Sequence, residues 1–224
     1  MGPVIGDILP FAIGVAISPV PIIAVILMLF SARARQNGPA FLVGWVVGLT
    51  AVVVLVMAIA GASGAGSGTA STLASLVKAG LGILLVALGF AQWRKRPGPG
   101  ETAAMPKWMD AIDSLAPVRA FGLGLLLSAV NPKNLTLAIG AALTIAQASL
   151  SLGGAAASVI AFVVLGSVSI AVPVAYYLVG GESAKRTLDG WKTWLGANNT
   201  TVMAVLLVVM GAVLFGKGIG PLIG

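Results

Sequence analysis

Six apolar runs constrain this chain more than any other feature. They lie near Ile8 to Phe30, Pro39 to Ala62, Leu73 to Trp93, Phe121 to Leu143, Gly154 to Gly180 and Thr201 to Ile219. Each has the ~20 residues that a helix needs to cross a bilayer. Inside hydrocarbon the backbone must satisfy its own N–H and C=O groups, so such runs fold as helices. No stretch outside them could build a soluble core. Only 8% of the 224 residues are charged and 58% are hydrophobic, with a mean hydropathy of +1.07; soluble domains carry about 25% charge. The expected class is an all-α integral membrane protein. The start, Met1 to Asp7, has no basic segment, so the first run is expected to be a retained helix and not a cleaved leader.

Short-loop lysines and arginines are held on the cytoplasmic side. Arg33 and Arg35 follow the first run, Arg94, Lys95, Arg96, Lys107 and Arg119 follow the third, and Lys185, Arg186 and Lys192 precede the last. The opposite loops, 61 to 72 and 149 to 153, contain none, and only Lys217 falls at the far end. Six transmembrane helices with both termini extracytoplasmic are therefore expected. This distribution also explains the net charge of +7 without nucleic acid as a partner.

The chain has no cysteine and no histidine, which argues against disulfides, thiol redox chemistry and the usual zinc or haem ligands. No metal and no cofactor are expected. Without paired carboxylates, histidine or cysteine for acid/base or redox work, an enzyme is not expected either.

The two halves resemble each other. "FAIGVAIS" (11–18) aligns with "FGLGLLLS" (121–128), and "ILLVALG" (83–89) with "VLLVVMG" (205–211). Three helices per half is an odd number, so the second half enters from the opposite side, giving two inverted three-helix repeats of the kind found in secondary transporters. The expected divisions are a first repeat at 1–93, a cytoplasmic linker with an amphipathic helix at 94–120, and a second repeat at 121–224. Two short interfacial helices are expected at 105–117 and 187–196, where Trp108, Trp191 and Trp194 sit at headgroup depth.

Proline places the candidate site. Pro19 and Pro21 fall near the midpoint of the first run and, lacking an N–H, leave the carbonyls of Val15 and Ile17 without a donor. Pro132 does the same to Ser128 in the fourth run. Helices one and four are thus expected to break at matched depth, and such backbone is tolerated only where it is buried in protein or lines a polar cavity. The candidate substrate-binding residues are Ser18, Pro19, Pro21, Ser128, Asn131, Pro132, Lys133 and Asn134. Lys133 lies about 15 Å from either surface at 1.5 Å per residue, too deep to snorkel, and no acidic residue lies in any of the six spans. It is therefore neutral, or held by carbonyls and asparagines, or partnered by an anionic ligand. Lys133→Ala is expected to stay folded and to lose binding of anionic headgroups. Lys78, a turn or two inside its helix, can snorkel outward and reads as structural. It and Tyr176 are secondary candidates, while Pro173 is expected to kink the fifth helix. Gly44 and Gly48, four apart, permit close packing within the chain or in a homo-oligomer.

The patterns "ISPVP", "SARARQNGPAFLVGWVVGL", "NPKN" and "NNTTVMAVLLVVMG" resemble the lipid-addressing branch of the lysine-exporter superfamily. That branch includes the glycopeptidolipid- and sulfolipid-addressing proteins of mycobacteria. The resemblance covers essentially the whole chain. It implies a bacterial inner-membrane protein that helps move glycolipids to the cell envelope, with a membrane lipid or glycolipid as substrate and a large lipid transporter as candidate partner. By the same resemblance Pro19, Pro21, Asn131, Pro132 and Lys133 match the central motif. "SPVP" stands where amino-acid exporters tend to carry a "PGP"-type turn, which argues against an amino-acid substrate. Three readings follow: a lipid transporter or flippase, an exporter of a small polar solute or ion, and a non-transporting accessory subunit of a lipid exporter.

Overall fold

The computed structural model describes residues 2–62, 68–96, 112 and 114–223. Most of the linker, and with it most of the helix expected at 105–117, lies outside the described residues. Those residues form α1 (Gly2–Ala16), α2 (Pro19–Phe30), α3 (Ala34–Ala62), α4 (Gly68–Arg94), α5 (Pro117–Ala129), α6 (Pro132–Gln147), α7 (Leu152–Gly180) and α8 (Glu182–Ile223). There is no strand among them.

Both expected breaks are present, and both restart on a proline. The chain bends by 53° between α1 and α2, where Ser18 is extended and Pro19 opens the next helix. At the second break the Asn131 side chain accepts a hydrogen bond from the Lys133 backbone N–H, and Pro132 opens α6. Proline suits a first helical turn because its fixed φ is already helical and no donor is needed there.

Four helices, α3, α4, α7 and α8, are long and apolar enough to cross a membrane, and the bent pair α1 and α2 makes up to five. The fourth expected run is divided into α5 of 13 residues and α6 of 16, each shorter than the ~20 residues of a straight crossing. By length, then, four to five spans stand where six were expected.

The separate interfacial helix expected at 187–196 is not present as such. Those residues belong to the continuous 42-residue α8, about 63 Å long at 1.5 Å per residue. Pro221 is its one proline, so nothing in the backbone stops the helix between Leu188 and Ala197.

The halves interlock. The broadest helix pairings are α4 with α8 and α3 with α5, followed by α1 with α7 and α1 with α6; each joins the first half to the second. Small residues allow it: a Cβ on Gly44 would meet the Phe121 carbonyl, and one on Gly124 the Phe41 carbonyl. The close approach that Gly44 and Gly48 permit is thus made within the chain, between α3 and α5.

Contacts also sort the loops into two ends. At one end Asn37 donates to the Leu115 carbonyl at 3.0 Å, Lys192 lies over the Phe30 ring, and Arg33, Arg35 and Lys185 share a cleft. At the other, Lys217 pairs with Asp7 and Gln147 reaches both Lys78 and the Ser71 carbonyl.

Candidate functional site

The site grows out of the carbonyls that proline leaves vacant. Pro19 cannot serve Val15, and the Ser18 hydroxyl lies 2.7 Å from that carbonyl as its donor. Pro21 cannot serve Ile17, and Lys133 Nζ donates there at 2.9 Å. The Ser18 N–H turns back to Ala16 at 2.9 Å, which frees the Gly14 carbonyl, and Lys133 takes it at 2.6 Å. The third Lys133 donor goes to Ser18 Oγ at 2.6 Å. An ammonium has three N–H groups, so these acceptors occupy all of them. Protein oxygens thus surround Nζ, and an anion reaching it has to displace one of them.

Asn134 completes the cluster from α6. Its Nδ2 donates to the Leu127 carbonyl at 3.0 Å, bridging the second break, and its Oδ1 lies 3.0 Å from Ser18 Oγ. The serine has one proton, so it serves Val15 or Asn134 but not both at once. Ser18, Lys133 and Asn134 are all buried. In this dry setting an unpaired polar group costs about 1–3 kcal/mol, so the cluster pins α1 to α6.

Of the expected site residues, then, Ser18, Lys133 and Asn134 meet, while Pro19, Pro21, Asn131 and Pro132 shape the breaks that let them meet. Ser128 is not part of this cluster: its hydroxyl donates to the Leu125 carbonyl and packs at the position of Gly48 on α3. Lys78 does not snorkel outward; it is buried and bonds to Gln147 at another end of the fold. Tyr176 stacks on Trp191 with ring centroids 6.3 Å apart, tying α7 to α8.

An apolar groove of about 460 Å³ opens beside the first break. Ala16, Ile17 and Ile22 form one wall, Val168, Ser169, Val172 and Pro173 of α7 a second, and Trp191, Trp194 and Leu195 of α8 a third. Ile17 belongs to both features, since it lines the groove while its carbonyl is held by Lys133. Ser169 donates to the Ala16 carbonyl, fixing α7 to the same break. The groove was not legible in sequence. Trp191 and Trp194 read as headgroup anchors, Pro173 as a kink, and one serine in an apolar helix carries no signal.

A polar pin between broken helices, flanked by an apolar groove, lies within a helical membrane-embedded protein. Residues 8–220 match the family model described as SfLAP, "Sap, sulfolipid-1-addressing protein", and the chain belongs to that family. Comparison with curated proteins and with solved structures returned no match. Family membership points to involvement in lipid export.

Proposed function

We propose that this protein assists the movement of an anionic or glycosylated lipid from the bacterial inner membrane toward the cell envelope, with an acyl chain in the groove and the headgroup at the break. The observation that carries this is the sharing of Ile17 between an apolar groove and the Lys133 cluster, which places apolar and polar contacts on a single residue. Val172 and Trp194 in the groove wall are 46% and 59% exposed, so the groove is open to the surroundings, as entry of a lipid chain requires. A small polar solute would gain nothing from such walls.

In this reading α5 and α6 together make a sixth crossing. They start beside Asn37 at one end and finish with Gln147 beside Lys78 at the other. The basic end is cytoplasmic by the positive-inside rule, which leaves both termini outside. Two inverted repeats also suit the packing, because α1 with α7 and α3 with α5 are equivalent pairings once the halves are exchanged. The kinship with lysine exporters rests on the paired proline motifs.

Proteoliposomes with a fluorescent sulfated glycolipid test the proposal against a neutral glycolipid. Faster appearance of the sulfated lipid in the opposite leaflet is expected, and it should be lost in Val172→Trp. If folded wild type moves no lipid, the stand-alone mechanism is wrong. The accessory reading, in which the chain acts with a large lipid transporter, then takes its place.

A further inference from the structure

Lysine is scarce away from the basic loops of this chain, yet two of its lysines stand together at the opposite end. Four helices converge there on a cavity of about 240 Å³ lined by Asp7 of α1, Lys78 of α4, Thr144 and Gln147 of α6, and Lys217 of α8. The space is well above what a single water needs and enough for a tetrahedral oxyanion. Lys78 is only 5% exposed.

The charges do not balance. Lys217 pairs with Asp7, and among the described residues Asp7 is the one acidic residue lining the cavity. Lys78 has the neutral Oε1 of Gln147 as a partner. Two ammoniums against one carboxylate leave a net positive charge around a largely buried group, and buried charge is costly unless compensated. The Gln147 amide, which donates to the Ser71 carbonyl at 3.3 Å, fixes the side-chain oxygen toward Lys78. We propose that this cavity is an oxyanion site, taking a sulfate or phosphate group between Lys78 and Lys217. The site stands on the convergence of these four helices. That its occupant is a lipid headgroup leaving the central groove rests on the export reading above.

The test uses the purified full chain in neutral detergent, titrated with sodium sulfate against sodium chloride at equal ionic strength and read by calorimetry and thermal shift. Sulfate should bind and stabilise the wild type. Lys78→Gln should weaken binding about tenfold or more, which is ~1.4 kcal/mol; Lys217→Gln, at the more exposed rim, should also weaken it and serves if the first variant does not fold. Asp7→Asn should tighten binding, because it removes the competing carboxylate, whereas a purely structural ion pair predicts no such gain. Sulfate acting no differently from chloride, or Lys78→Gln and Lys217→Gln binding like wild type, would overturn the site. A second arm adds nanodiscs with sulfated or neutral glycolipid: competition with free sulfate by the sulfated lipid alone identifies a headgroup, and its absence assigns the site to a free anion. Neither arm measures export, so a failed export reading leaves the result intact.

Discussion

Lys133 of α6 holds the Ile17 carbonyl at 2.9 Å across 116 positions of sequence, and that carbonyl is the one Pro21 deprives of its helical donor. The side chain therefore does the work of a missing backbone N–H. It also explains how a lysine resides in the middle of an apolar bundle with no acid beside it: its three donors meet three oxygens from one turn of α1 and its end.

Lys133→Ala, expected from sequence alone to leave the fold intact, strips a donor from Gly14 and Ile17. At about 1–3 kcal/mol for each of these two unsatisfied buried groups, a loss of about 2–6 kcal/mol is expected. Thermal or denaturant unfolding in detergent measures it, and an unchanged midpoint would show that the pin contributes nothing.

Ser18→Ala removes both the acceptor for Lys133 and the donor to Val15. A loss of about 1–2 kcal/mol is expected. Combined with Lys133→Ala it should fall short of the sum by about 1 kcal/mol or more, since contacting residues couple. Strict additivity in the double-mutant cycle would argue against a shared cluster.

Gly44→Ala and Gly124→Ala each drive a methyl group into a backbone carbonyl of the facing helix. Overpacking of this kind costs about 1–3 kcal/mol, and because the obstruction is backbone the upper part of that range is expected. Cysteine pairs across α3 and α5, scored for crosslinking in each variant, would register the seam opening; wild-type crosslinking rates in both variants would rule it out.

Val172→Trp fills the groove without touching Ser18, Lys133 or Asn134. Stability should change by less than about 1 kcal/mol, as at other half-exposed positions, while labelling of groove residues by a photoactivatable lipid falls severalfold. Undiminished labelling would mean that acyl chains bind elsewhere.

Much of the site could be read from residue order, and the reason is local. Proline's missing N–H identified Val15 and Ile17 as vacant acceptors before any fold was known, and both are filled. What filled them could not be read so directly, because Ser18 is a neighbour but Lys133 arrives from the other half of the chain. Lys78 went astray for the same reason: its helix position suggested snorkelling, but Gln147 from α6 bonds it, and Asp7 and Lys217 from two further helices line the same cavity. The tryptophans of 187–196 were read as anchors of a separate helix. Amphipathic spacing says which residues share a face but not what that face meets, and here it meets the broken end of α1.

Sequence by itself determined that the chain is helical and membrane-embedded, that the basic loops alternate, and that two helices break at proline, since hydropathy, charge and the absent N–H are properties of single residues. Only the tertiary structure decided that Lys133 is held by backbone oxygens, that a groove opens beside Ile17, and that Lys78 and Lys217 share a cavity. Those outcomes depend on helices far apart in the chain being brought within hydrogen-bond distance, and no local rule contains that distance.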